Sequence, residues 1–313
     1  MTLMAGLGWT YDTLLQYMDQ FPDRRDRLNP SIKHLLDSCP GSSIYGLGGH
    51  SVVIQPCPGV MAKICLEKGD ERLLQEQQIL KLLDQAECPY IIQSFLQGTD
   101  IIFFELLENG SLHHRLSLVN TDKPIRRWML QLSLAVASIE SIGYAHADIN
   151  PQNILFDSHD NLRLIDFDHS LKAGEDVDVG YEPYVRQRRE VLGGYFGVAG
   201  PVPEQFALGS VFWYMKYGSE VYSELEGSER VDRLLDGIFP DINEQDPIDN
   251  IIRQCWNGRY PRVADLVEDV KLLVDAQDYP QMTIDKREQG ERRRLSEQLY
   301  AGIQRAEDVV VKG

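Results

Sequence analysis

Two stretches read together, Tyr144–Asp157 (YAHADINPQNILFD) and Leu164–Ser170 (LIDFDHS), decide how this chain is understood. His146, Asp148 and Asn153 fall in a polar loop between the apolar run 125–142 and the strand-like NILF. Asp166 follows a second strand-like run, LRLI, and stands 18 residues after Asp148. An Asp in such a loop can accept or orient a hydroxyl. An Asn and a second Asp supply the hard oxygen donors that Mg²⁺ takes. Each residue alone has a plainer explanation: Asp148 capping a turn, Asn153 satisfying loop backbone, Asp166 ending a strand. The ordered set is much harder to explain that way.

Working upstream, VMAKIC places Lys63 in the middle of an apolar strand, where an ammonium group either snorkels to an edge or faces a polar site. In LLQEQQILKLL the helical spacing puts Leu73, Glu76, Leu80 and Leu83 on one face. A carboxylate on an apolar stripe is costly unless paired, so a Lys63–Glu76 ion pair accounts for both misplaced charges. The alternative leaves Glu76 in water at the edge of the stripe. Further upstream, GLGGHSVV (Gly46–Val53) lies between two strand-like runs, and its glycines allow close backbone approach to a phosphate or simply a turn.

These segments fall in the order GLGGHSVV, AK, EQQIL, FFELLENGSL, HADINPQN, IDFD and CWNGRYPRVADL. In that order the chain resembles the eukaryotic protein kinase superfamily over residues 42 to about 276, and it is similar to a divergent kinase-like group seen in filamentous fungi. The resemblance implies an α+β, bilobal fold with a small β-rich N-lobe (42–107) and a larger helical C-lobe (108–276). A helical N-terminal extension (1–41) would precede this domain and a charged helical tail (277–313) would follow it. It also implies ATP and Mg²⁺ as cofactors. Gly46, Gly48, Gly49, Val53 and Ala62 would line the nucleotide. Lys63 would hold the α/β-phosphates and pair with Glu76. Phe104 would back the pocket, and Glu105, Leu106 and Leu107 would form the hinge, with Glu105 and Leu107 meeting the adenine. Asp148 would orient the acceptor hydroxyl, and Asn153 and Asp166 would bind the metal.

The sequence departs from that pattern at four positions. Ser51 stands at the third glycine of the loop. Ala147 replaces the arginine that reads a phosphorylated activation segment. From His169 to Glu204 there is no Thr and Ser170 is the only Ser, so switching by Ser/Thr phosphorylation is not expected there. Asn150 stands where a lysine usually faces the transferred phosphate, a loss that commonly costs about 10²–10³ in rate. Asp168 replaces the glycine of the metal motif and adds a negative charge near the metal, where it either assists a cation or, as is expected, faces solvent. A protein Ser/Thr kinase-like phosphotransferase is the leading reading. A nucleotide-binding pseudokinase and a small-molecule kinase of the aminoglycoside or choline kinase type are the alternatives.

Composition limits the remaining possibilities. The 313 residues carry 31 basic and 48 acidic side chains, a net charge of −17, which argues against a general grip on nucleic acid or anionic membrane. No apolar run approaches a membrane span, no leader pattern is evident, and five scattered cysteines suggest free thiols. A cytoplasmic setting is expected, with the nucleus left open. Residues 220–250 hold ten acidic side chains against Arg230 and Arg233, which suggests a docking surface for a basic protein or a merely solubilising face.

Overall fold

The computed structural model describes residues 4–118, 123–185, 196–225, 228–275 and 286–312. Its strands are β1 (Met4–Trp9), β2 (Ser43–Leu47), β3 (Ser51–Cys57), β4 (Val60–Cys65), β5 (Ser94–Gly98), β6 (Ile101–Glu105), β7 (Tyr144–Ala145), β8 (Ile154–Phe156), β9 (Leu162–Leu164) and β10 (Leu171–Lys172). Its helices are α1 (Tyr11–Met18), α2 (Pro22–Arg25), α3 (Pro30–Ser38), α4 (Glu71–Ala86), α5 (Leu112–Ser117), α6 (Ile125–Ser141), α7 (Pro201–Tyr217), α8 (Ser228–Leu235), α9 (Pro247–Trp256), α10 (Val263–Lys271) and α11 (Lys286–Lys312). The chain forms two compact units. The first takes Met1–Leu80, Ile92–Leu106 and Thr283–Gly313, and the second takes Lys81–Ile91 and Leu107–Met282.

The first unit is built on a six-stranded antiparallel sheet in the order β1-β2-β3-β4-β6-β5. Every residue of β4 is buried, so VMAKIC reads as a continuous apolar run broken only by Lys63. Apolar side chains of the extension and of the tail join the sheet in one core: Leu14, Met18, Ile32, Leu35, Ile44, Val52, Ile54, Phe103 and Ile303 are all buried in it. Helices α1 and α3 of the extension are capped by Thr10 and Asn29. The extension also contributes β1, which pairs with β2 and which no periodicity in the sequence indicates.

The second unit is helical. Helix α6 is buried nearly all round, with Trp128, Met129, Leu130, Leu132, Ala135, Val136 and Ile139 inaccessible. Helix α7 begins at Pro201. Its prolines sit in the first turn, where a missing N–H costs no helical hydrogen bond. Helix α10 ends at Lys271, and the chain leaves it through the shorter bonds Leu272 N to Asp269 O, Leu273 N to Val270 O and Val274 N to Lys271 O. A short hairpin, β8–β9, and a two-stranded antiparallel pairing of β7 with β10 frame the polar loop. No helix among the described residues is long and apolar enough to cross a membrane.

Candidate active site

In the first unit, strand register sets the residues around the glycine-rich loop. Gly46 lies opposite Val53, and Val53 lies opposite Lys63. Ala62 is wholly buried between Ile54 of β3 and Phe103 of β6. Gly48 N donates to Ser51 O at 2.9 Å and closes the turn that carries Gly49. Ser51 opens β3 and is buried against Cys65 of β4.

Lys63 Nζ meets Glu76 Oε2 at 2.6 Å, with side-chain exposures of 9% and 1%. Burying either charge alone would be expensive, and the contact makes both tolerable. Leu73, Leu80 and Leu83, on the same face of α4 as Glu76, are buried as the spacing required. Phe104 is buried near the end of β6. Glu105 exchanges two bonds with Gln93, donating from its backbone N–H (3.2 Å) and accepting at Oε1 (3.1 Å). Leu106 belongs to this unit, and Leu107, also buried, opens the long part of the second.

The second unit assembles Asp148, Asn150, Asn153 and Asp166. Asn150 Nδ2 donates to Asp148 Oδ1 at 3.0 Å, and Asn153 Nδ2 donates to Asp148 Oδ2 at 2.9 Å. Both oxygens of one carboxylate are therefore held by neutral amides. Asn150 Oδ1 in turn accepts from Gln152 N at 2.9 Å. Asn150 is thus more than a lost lysine, because its amide orients Asp148. Burial pushes the Asp148 carboxyl up to about 7, the Asp166 charge adds to this, and the Asn153 and Asn150 amides oppose it. Asp166 is brought beside Asn153 by β8–β9 pairing and by the Ile165 N to Asn153 O bond of 3.0 Å. Asp166 and Ala147 both take left-handed backbone (φ 70° and 64°), a strained choice for non-glycine residues that is found where a site demands it. With Asn153 Nδ2 committed to Asp148, its Oδ1 and the Asp166 carboxylate make an all-oxygen donor pair, which suits Mg²⁺.

Beneath the loop, His146 is fully buried. Its Nε2 bonds Ile165 O at 2.9 Å and its Nδ1 accepts from Asp148 N at 3.2 Å, which assigns the neutral ring with hydrogen on Nε2. Burial pushes this imidazole down to about 4, against the pull of the Ile165 carbonyl and of Asp166 and Asp168. Glu204 of α7 accepts from His146 N (2.8 Å) and Ala147 N (3.0 Å). Sequence reasoning missed Glu204. Its signal was a lone carboxylate in the apolar run VPEQFALGSVFW, at a depth where it had to find donors.

The described residues of the segment after Asp166 are tied by backbone bonds. Its arms 174–177 and 196–199 pair through Gly174 N to Ala199 O, Val177 N to Gly197 O, Phe196 N to Val177 O and Ala199 N to Glu175 O. Tyr184 donates to Glu220 Oε1 at 3.0 Å, and Arg230 binds both Glu220 Oε2 (2.8 Å) and Glu182 O (3.2 Å). A cavity of about 590 Å³ opens beside Asp148, lined by Ile149, Tyr184, Val185, Phe196 and Phe206.

The structure corrects one expectation. Asp168 does not face solvent: its side chain is 14% exposed and lies 3.8 Å from the His169 ring, because Phe167 is buried and draws the turn inward. The acidic stretch 220–250 is partly exposed and partly engaged in ion pairs. Glu220 is engaged as above, Glu229 pairs with Arg233, Asp246 with Lys216, and Glu244 with Arg253. Asp249 is wholly buried, accepting from Lys216 and Tyr217. Glu224, Glu229, Asp232, Asp236, Asp241 and Glu244 are exposed, and Glu226 lies outside the described residues.

Comparison with known proteins gives the same family by a separate route. The chain is 37% identical over 108 residues to the mitosis inhibitor protein kinase mik1 of Schizosaccharomyces pombe, covering 32% of this chain and 18% of that protein. It is 34% identical over 162 residues to myotonin-protein kinase of Mus musculus (49% and 24%). It is 27% identical over 237 residues to citron rho-interacting kinase of Rattus norvegicus (67% and 11%). The chain thus spans less than a third of the length of these relatives. The protein kinase domain matches residues 60–276, well over half of the 313, and on that match this chain belongs to the protein kinase domain family.

Proposed function

We propose that this chain is an ATP- and Mg²⁺-dependent protein kinase that moves the γ-phosphate of ATP to a Ser or Thr hydroxyl of a protein. The observation that carries the reading is the Asp148 carboxylate, gripped at both oxygens by Asn150 and Asn153. A carboxylate fixed in this way can accept a hydrogen bond from a hydroxyl and aim its oxygen at a phosphorus atom. Lys63, oriented by Glu76, would hold the α/β-phosphates, and Asn153 and Asp166 would hold the metal. When bound, Mg²⁺ would neutralise charge on the phosphate oxygens. The cavity beside Asp148, lined by polar as well as apolar groups, suits a polypeptide carrying the hydroxyl. Exposed Glu224 and Asp241 favour basic residues near that hydroxyl. Five free cysteines among the described residues suit the cytoplasm.

The test is phosphoryl transfer from labelled ATP to a basic protein such as histone, with Asp148→Asn and Lys63→Met alongside. Asp148→Asn should abolish transfer and keep nucleotide binding, and Lys63→Met should weaken both. Transfer undiminished in Asp148→Asn would overturn this assignment. Nucleotide binding without transfer in the wild type would make the chain a pseudokinase.

A further inference from the structure

The N-terminal extension reaches the tip of the glycine-rich loop. Arg24, on the four-residue helix α2, donates from Nη2 to the carbonyl of Gly49 at 2.7 Å, and from Nε to Glu67 Oε1 at 3.1 Å. Arg27 takes the other Glu67 oxygen at 2.8 Å. The same short region is stitched by three further contacts. Asn29 N donates to Leu66 O at 2.7 Å, Leu66 N donates to His50 O at 2.8 Å, and His50 Nδ1 lies 3.3 Å from Asp70. Asn29 itself is fully buried and caps α3 through Ser31 N. The extension is therefore anchored at Asn29, and Arg24 projects from that anchor onto the loop. A guanidinium suits this position because its fork spans a carbonyl and a carboxylate at once, which an ammonium group on a flexible stem does less well.

We infer that Arg24 is a positioning residue for nucleotide binding: it fixes the carbonyl of Gly49, and through it the orientation of the loop's backbone amides toward phosphate. The inference rests on the nucleotide-binding reading above and adds to it a role for residues before the kinase-like domain. A glycine-rich loop is mobile by nature, and a loop that must be ordered on binding loses affinity. With Ser51 at the third glycine position, the loop already departs from the usual pattern. Arg24 supplies order from outside the hairpin.

The experiment uses the full chain and four proteins: wild type, Arg24→Ala, Arg24→Lys and Arg27→Ala. The affinity for a fluorescent methylanthraniloyl derivative of ATP with Mg²⁺ is measured, along with KM and kcat for transfer and hydrogen exchange of the amides at 48–51 without nucleotide. Arg24→Ala should weaken nucleotide binding and raise KM for ATP about five- to tenfold while kcat stays within about twofold. Its loop amides should exchange about tenfold faster. Arg24→Lys should recover only part of the affinity. Arg27→Ala, which loses a Glu67 contact and no loop contact, should stay within about twofold of wild type. If wild type binds and folded Arg24→Ala binds equally well, with loop exchange unchanged, the inference is overturned. If wild type binds no nucleotide, the reading it rests on falls first, so the two failures are told apart.

Discussion

Glu204 and His146 are joined across 58 positions of sequence by a 2.8 Å bond from the His146 backbone N–H to the Glu204 carboxylate, whose second oxygen takes Ala147 N. A side chain of the buried helix α7 thus sets the backbone two residues before Asp148. The polar loop is aimed by its floor as well as by its own Asn side chains.

Replacing Glu204 should therefore disturb both stability and transfer. Glu204→Ala leaves two buried N–H groups without an acceptor, at a cost of about 1–3 kcal/mol for each unsatisfied group. Urea unfolding should show a loss of about 3 kcal/mol, with phosphoryl transfer falling further than stability alone explains. Unchanged unfolding would mean that water or a neighbour satisfies those amides.

The two buried titrating groups under the loop make opposite contributions to the pH dependence of stability. His146 is pushed down to about 4 from its ordinary 6.5, so between these values the unfolded chain binds the extra proton. Stability from His146 therefore rises with pH across that window, by at most about 3 kcal/mol, and is lost as pH falls toward 4. Burial pushes Glu204 up to about 7 from 4.5, so its contribution is full below 4.5 and declines as pH rises to 7. Unfolding measured from pH 4 to 8 should show that His146→Gln flattens the acid limb relative to wild type. Nitrogen NMR should show a neutral ring protonated at Nε2. An imidazole charged at pH 6 in the folded protein contradicts this.

Asn150 is expected to act on kcat. Asn150→Ala removes one of two amides on the Asp148 carboxylate and should lower kcat about tenfold, with ATP affinity unchanged. Asn150→Asp sets a like charge against Asp148 and should be worse. Equal kcat in Asn150→Ala would show that Asn153 alone suffices to hold the base.

Activity should not depend on phosphorylation of the segment after Asp166. Its arms pair through backbone bonds, and Tyr184, Glu220 and Arg230 fasten it. Ser/Thr phosphatase treatment, checked by mass, should leave transfer unchanged. Tyr184→Phe removes one hydrogen bond, should cost about 1 kcal/mol, and should raise KM for the protein substrate more than KM for ATP.

The family and the β-rich then helical order were legible in the sequence, because the motifs from GLGGHSVV to CWNGRYPRVADL fall in one order along it. The Lys63–Glu76 pair was legible for a different reason: two charges on buried faces, in a strand and a helix, have to meet. Other features depended on folding. Strand β1 has no strong alternation of its own, and it exists because β2 offers it an edge. Asp168 looked solvated until buried Phe167 turned the chain inward. Which carboxylates of the acidic stretch find cations was also decided by folding: Lys216 and Arg253, from outside it, reach Asp246 and Glu244. Arg24 and Glu204 act on backbone groups 25 and 57–58 residues away, and a backbone N–H or C=O carries no mark in the sequence. Sequence periodicity reports which side chains must be buried, and only the tertiary structure decides which backbone groups those burials leave in need of a partner.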